Sequence, residues 1–219
     1  MKGKIIVLDG VDASGKATQA KILVEKLLKK GCKAKLVSFP DYNSPSSALV
    51  KMYLNGEFGS NPEEINPRAI SACYALDRFA STFKWKEFYE NGGILVMDRY
   101  TSSNMIHQAA KIANEKEKEA FLKWLYDFEY NILEIPKPDK VLFLEMPPEV
   151  SEKLLAERKE NKSATKDIHE KDKKFLKDSY KNAIFVSDFY GWKTVHCSDG
   201  LNPKNIEDIS NEIWDILFS

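Results

Sequence analysis

The sequence predicts an α/β fold, a three-layer sandwich in which helices cover both faces of a five-stranded parallel sheet. Three observations carry this. Apolar runs of strand length alternate with helical segments along the whole chain. The runs Ile5–Leu8 and Ile94–Met97 are apolar throughout, as strands buried on both faces are. The first run passes through a glycine-rich turn directly into a helix, which is how a parallel βα unit begins.

The elements follow in order. Ile5–Leu8 is the first strand. In the helix behind it Ala20, Leu23, Val24, Leu27 and Leu28 share one face, and Gly31 is placed to end it. Lys35–Phe39 is the second strand. Ser46–Asn55 and Pro67–Glu90 read as helices, each followed by glycine (Gly56, then Gly92 and Gly93). Ile94–Met97 is the third strand. Asn114 is placed to cap a helix over Glu115–Phe128. Lys140–Leu144 is the fourth strand, and the Pro147-Pro148 turn opens a helix over Pro148–Arg158. Asp167–Tyr190 is a long charged helix, Thr194–Cys197 the fifth strand and Asn205–Phe218 the closing helix. There is no internal repeat, and residues 1–219 read as one domain. The polar segment Lys159–Lys166 has no apolar periodicity. It reads either as a solvated connection or as a lid over about 158–167, and composition does not separate the two.

The totals narrow the class. Of 219 residues 43% are hydrophobic, enough for a sizeable core. Lys and Arg number 33 and so do Asp and Glu, a balance that argues against a general nucleic-acid or membrane-surface binder. Cys32, Cys73 and Cys197 lack metal-ligand spacing. With no signal segment in view, they imply reduced thiols and a cytoplasmic protein. No apolar run approaches a membrane span.

The turn after the first strand carries the most specific chemistry. Gly10, Val11, Asp12, Ala13, Ser14, Gly15, Lys16, Ala17 and Thr18 form a P-loop in all but one position. Its glycines let backbone amides close around phosphate oxygens, Lys16 brings a positive charge to the outer phosphates, and the following helix points its positive end at the same place. A chance Gly-x4-Gly-Lys would lack the strand before it and the helix after it. The odd position is Ala17, where the motif has a Ser or Thr whose hydroxyl binds Mg²⁺. Further signatures fall where the carboxyl ends of strands should meet: Asp9 and Asp12, Phe39-Pro40-Asp41-Tyr42, and Asp98-Arg99-Tyr100. Tyr74 and Arg78 share a helix face at i,i+4 spacing. Taken singly each has an ordinary structural explanation: a surface ion pair for Asp98-Arg99, core packing for Tyr74.

On these residues, with the tract Asp98–Gln108, Pro136-Lys-Pro-Asp139 and Pro147-Pro148-Glu149, the chain resembles the thymidylate kinases, a branch of the P-loop nucleoside monophosphate kinases. The resemblance runs from the P-loop to the last helix. It implies a P-loop NTPase fold and transfer of the γ-phosphoryl group of ATP to a deoxynucleoside monophosphate, most simply dTMP, with Mg²⁺ and as a homodimer. It implies that the amides of Gly10–Thr18 hold ATP, with Lys16, Asp98, Arg99 and Arg158 as the catalytic set. Asp12 would bind the sugar 3′-hydroxyl, Phe39 and Pro40 would line the base pocket, and Tyr74, matching a family Phe, would stack on the pyrimidine. Arg78 would hydrogen-bond a base carbonyl and Arg99 would hold the acceptor phosphate. Ser103, Asn104 and Gln108 fall in the same site tract, Asn104 and Gln108 at positions that face the base. Asp98, or Asp9 through water, would organise the metal.

The departures are as plain. Ala17 lacks the hydroxyl, and Thr18, one helical step on, is turned by roughly 100°. Tyr42 stands where many relatives carry an arginine, His107 where a tyrosine commonly guards against ribose, and Ala13 where one subgroup has an arginine. The lid has Arg158 at its start, followed by Lys159, Lys162 and Lys166, which offer charge without arginine's planar fork. Two alternatives stand beside the leading reading: a kinase for another pyrimidine nucleotide or nucleoside, and a nucleotide-binding module with weak or no catalysis.

Overall fold

The computed structural model describes residues 2–160 and 173–218, with side chains except those of 157–160 and Lys173. Five strands form one parallel sheet: β1 (Lys4–Asp9), β2 (Ala34–Ser38), β3 (Ile94–Asp98), β4 (Lys140–Glu145) and β5 (Lys193–His196), in the order β2-β3-β1-β4-β5. Each expected strand is present within a residue or two of its expected bounds. The order places β1 at the centre, so the turn that follows it opens at the middle of the carboxyl edge.

Alternation along β1 sets the two cores. Ile6 and Leu8 face one way and pack with Val96, Leu142, Leu144 and Val195 against α1 (Lys16–Lys29), α6 (Pro148–Glu160) and α8 (Ile206–Phe218). Ile5 and Val7 face the other way, with Leu95 and Met97, onto Phe39, Tyr100, Ile135 and Trp85 of α3 (Pro67–Glu90). The expected apolar stripe of α1 is buried at Ala20, Leu23 and Leu27, but Leu28 is 52% exposed, because it lies at the margin of the stripe, in the last turn. The helix expected over Ser46–Asn55 is a 3₁₀ turn, Pro45–Ser47, continued by α2 (Ala48–Leu54). Ser44 caps that turn through its hydroxyl, and Pro45 lacks the amide hydrogen an earlier helical turn would need.

Asn114 caps α5 (Glu115–Asp127) as expected, its side chain accepting from the Glu117 amide at 3.1 Å. Beyond Asp127 the chain widens into a π-helical turn over Phe128–Ile132. A short helix, α4 (Thr101–His107), occupies the tract after β3. The long charged helix is α7 (Lys173–Tyr190) in its described part, and a small antiparallel pair, β6 (Ser198–Asp199) with β7 (Asn202–Pro203), precedes α8. The lid segment from 161 onward lies outside the described residues, as does the Arg158 side chain.

Gly10 leaves β1 at φ +153°, and a Cβ there would stand 2.5 Å from the Leu144 carbonyl oxygen. That atom is backbone of the neighbouring strand β4 and cannot retreat without disturbing the pairing. Gly10→Ala is therefore expected to destabilise the fold by about 1–3 kcal/mol. Urea denaturation of both forms reads it.

Candidate active site at the carboxyl edge of the sheet

The glycine-rich turn wraps around the end of β1 and delivers Lys16 from the first residue of α1. Gly15 takes φ +87° just before the helix, which leaves the amides of the first turn without internal partners and directed outward. Lys16 is buried, and its Nζ donates to the Val11 carbonyl at 2.6 Å. Burial lowers its pKa to about 8. Arg99 repels its charge in the same sense, while Asp12, Asp9 and Asp98 oppose.

Asp9 joins this turn to the segment after β3. Its carboxylate is fully buried and accepts from the Gly10 amide at 2.8 Å, the Ser102 hydroxyl at 2.5 Å and the Ser103 hydroxyl at 2.8 and 2.9 Å. Both oxygens are thus occupied. These three donors tie the P-loop to α4, and a metal held here through water would share the carboxylate with them.

Arg99 takes φ +68°, an unfavourable angle for an arginine that aims its side chain back over the sheet edge. Its Nη2 donates to Asp12, and its Nη1 lies 3.1 Å from His107 Nε2 and 3.4 Å from Ser103 Oγ. Because a guanidinium only donates, His107 Nε2 is the acceptor in this contact. Burial works against the Arg99 charge, but Asp12, Asp9 and Asp98 together outweigh it and its pKa is raised. Asp98 is half-buried, and among the described residues no hydrogen bond engages its carboxylate. Burial raises its pKa against the pull of Lys16 and Arg99.

An open cleft lies beside these groups, lined by Asp12, Pro40, Tyr42, Leu54, Tyr74, Arg99, Ser103, Asn104, His107 and Gln108. It brings together nearly every acceptor-side residue expected from the sequence. Two are placed elsewhere. Phe39 is buried in the core against the Tyr100 ring, at 5.8 Å between centroids, because it starts the turn after β2 facing inward. Arg78 is buried behind the cleft in a two-point ion pair with Glu129, Nε at 2.7 Å and Nη2 at 2.6 Å. A base contact from Arg78 would therefore have to come from the hydrogens Glu129 leaves unused, those of Nη1 and the second of Nη2. Sequence reasoning missed Leu54, which is an ordinary core residue by pattern. It also missed Glu129, whose signal was an acid set among aromatic residues in Phe128-Glu129-Tyr130.

The family model described as thymidylate kinase matches residues 8–213. The chain belongs to the thymidylate kinase family. Among curated members, the thymidylate kinase of Danio rerio is 28% identical over 217 residues, covering 97% of this chain and 92% of that protein. The enzyme of Caenorhabditis elegans is 31% identical over 159 residues, 68% of this chain and 66% of that protein. Among solved structures, thymidylate kinase from Candida albicans superposes with a TM-score of 0.73 at 23% identity over 99% of this chain and 91% of that one, a likeness of fold.

Set in this family, the departures have a place. Ala17 is exposed on the first turn of α1 and Thr18 is partly so, which leaves no hydroxyl at the usual metal position. The Asp98 carboxylate faces the same edge with no protein donor on it, a fit for a magnesium ion held through water. His107 and Tyr42 both stand in the wall of the cleft.

The lowered pKa of Lys16 has a binding consequence. Phosphate oxygens favour the charged amine, so above pH 8 the nucleotide must recruit a proton as it binds. Well below pH 8, where the amine is already protonated, this group contributes no pH dependence. The affinity of a non-hydrolysable ATP analogue is expected to weaken by about tenfold between pH 7.5 and 9. Titration calorimetry at the two values measures it, and Lys16→Ala should bind weakly and without this slope.

Proposed function

We propose that the protein transfers the γ-phosphoryl group of ATP to a deoxynucleoside monophosphate, converting dTMP to dTDP. The observation that carries this reading is a cleft that sets Arg99, a permanent cation, beside Lys16 of the P-loop. Two cations side by side suit two phosphate-bearing substrates. An acceptor without a phosphate would leave Arg99 facing an uncharged group, which argues against a nucleoside kinase. The presence of Lys16, Asp98 and Arg99 at one edge argues against a module that has lost catalysis.

The acceptor phosphate replaces Asp12 as a partner of Arg99, and Asp12 turns to the sugar 3′-hydroxyl. Tyr74 supplies a face for the pyrimidine, with Pro40 and Leu54 as apolar walls. Asn104 reads the base. Its Nδ2 donates to the Ser71 carbonyl at 3.1 Å and to Glu129 at 3.0 Å, so both amide hydrogens are used. The oxygen is left for the cleft, where it accepts N3–H of thymine. Gln108 supports this face too: its Oε1 is buried with no partner. Arg78 Nη1 reaches for the 4-carbonyl. His107 stands where the sugar and phosphate meet.

Chemistry here is positioning and charge. Lys16 leaves the Val11 carbonyl for the outer phosphates, and Arg99 holds the attacking phosphate in line. A magnesium ion would be held by Asp98 through water and would supply positive charge to the phosphates. The resemblance assigns Arg158, which follows in α6, as a further cation for the donor. We also place the protein in the cytoplasm, its three cysteines being unpaired, and read it as a homodimer. The homodimer reading is supported by α3, which exposes Leu76, Phe79 and Phe83 in a row at helical spacing. Among the described residues no helix is long and apolar enough to cross a membrane.

Coupled ADP-release assays with single monophosphates test the reading. An acceptor facing N3 and a donor facing position 4 suit thymine and oppose cytosine. A charge-assisted hydrogen bond contributes roughly 1.5–3 kcal/mol, so dTMP is expected to bind at least about tenfold tighter than dCMP. Equal affinities by calorimetry would remove this base assignment.

Ala17→Ser restores a hydroxyl on an exposed position at little steric cost. It is expected to shift the magnesium midpoint of the steady-state rate to lower concentration and to raise kcat. A magnesium titration of both forms decides, and an unchanged midpoint and rate would mean that the metal is placed without help from this position.

A further inference from the structure

We propose that Glu129, buried behind the acceptor cleft, is a positioning residue that sets which base the cleft accepts. The proposal rests on the phosphate-acceptor reading above and deepens it. Glu129 is fully buried in the π-helical turn after α5 and does not line the cleft. Its carboxylate accepts four hydrogen bonds. Oε1 takes Arg78 Nη2 at 2.6 Å and Asn104 Nδ2 at 3.0 Å, and Oε2 takes Arg78 Nε at 2.7 Å and Thr101 Oγ1 at 2.8 Å. These donors come from α3 and α4, so one side chain from a third segment binds the two helices that wall the base.

The consequence lies in polarity. An amide side chain can turn over and exchange its donor for its acceptor at almost no cost in shape. Asn104 cannot. Its two neighbours on this side, Glu129 Oε1 and the Ser71 carbonyl, accept only, so the NH₂ must face them and the oxygen must face the cleft. Arg78 is fixed by the same carboxylate through Nε and Nη2, and a guanidinium's remaining hydrogens can only donate. Glu129 thereby dictates an acceptor from Asn104 and a donor from Arg78, the complement of a pyrimidine with N3–H and a 4-carbonyl. Cytosine presents the reverse pattern at both atoms. Base choice is thus written in a residue that never touches the base.

The test compares Glu129→Gln with the unaltered enzyme, using dTMP, dCMP and ATP. A carboxamide has the same shape, but whichever way it turns its NH₂ meets an Arg78 donor, and in one orientation it meets Asn104 as well. The ratio of kcat/KM for dTMP over dCMP is expected to fall at least tenfold, mostly through a higher KM for dTMP, with KM for ATP within twofold. Glu129→Asp keeps the charge Arg78 needs and draws it back from Asn104, so it should show the same loss and serves if Glu129→Gln does not fold. Thr101→Val removes one bond to the same carboxylate and should lower Tm while leaving the ratio within twofold. A folded Glu129 variant that keeps the ratio overturns the role of Glu129 alone. An unaltered enzyme that phosphorylates neither dTMP nor dCMP overturns the acceptor reading on which that role depends.

Discussion

Asp9 ends the central strand with a carboxylate that no water reaches, and it is held by the Gly10 amide and the hydroxyls of Ser102 and Ser103. The first belongs to the P-loop and the others to α4. Two segments more than ninety residues apart in the chain are set in register by one side chain. Hydrogen bonds to a buried charge are among the stronger ones a fold can make, and leaving any of these donors unmet would cost more than its bond contributes. Lys16 and Arg99 stand beside each other because of this junction.

The same junction gathers like charges at a cost. Lys16 and Arg99 repel, and burial weakens the ammonium further. Asp12 and Asp98 offset part of the repulsion in the absence of nucleotide. On the proposed reading, phosphates arriving at this edge would meet cations already aimed and partly desolvated, leaving little reorganisation for the reaction itself. The strained backbone of Arg99 is consistent with that use, since an unfavourable φ persists only where the surroundings hold it.

Behind the acceptor cleft a second carboxylate does for specificity what Asp9 does for assembly. A lone buried glutamate would be expensive, and a lone buried arginine equally so. Paired and completed by Thr101 and Asn104, they form a network in which every acceptor position of Glu129 is taken. The π-helical turn that carries Glu129 adds backbone to the end of α5, and such turns recur near functional sites.

Five strands, the P-loop and the helices around them were legible in the sequence because local pattern determines them. Apolar runs in β1 and β3 allow burial on both faces, the glycines of the turn allow its angles, and Asn114 caps α5 through atoms three residues away. Around the cleft, Asp12 and Arg99 were legible at strand ends and Tyr74 along one helix face, whereas Asn104 and His107 came from the family resemblance and not from local pattern. What the sequence could not determine is which atoms those side chains use. Spacing put Arg78 on the face of Tyr74, yet the partner that claims its guanidinium is 51 residues away. Phe39, expected in the wall of the pocket, packs in the core against Tyr100, and Asp9, expected near a metal, engages three protein donors. Hydrogen-bond saturation is a property of packing, decided by whichever groups the tertiary fold brings within 3 Å, and no local pattern in the chain records it.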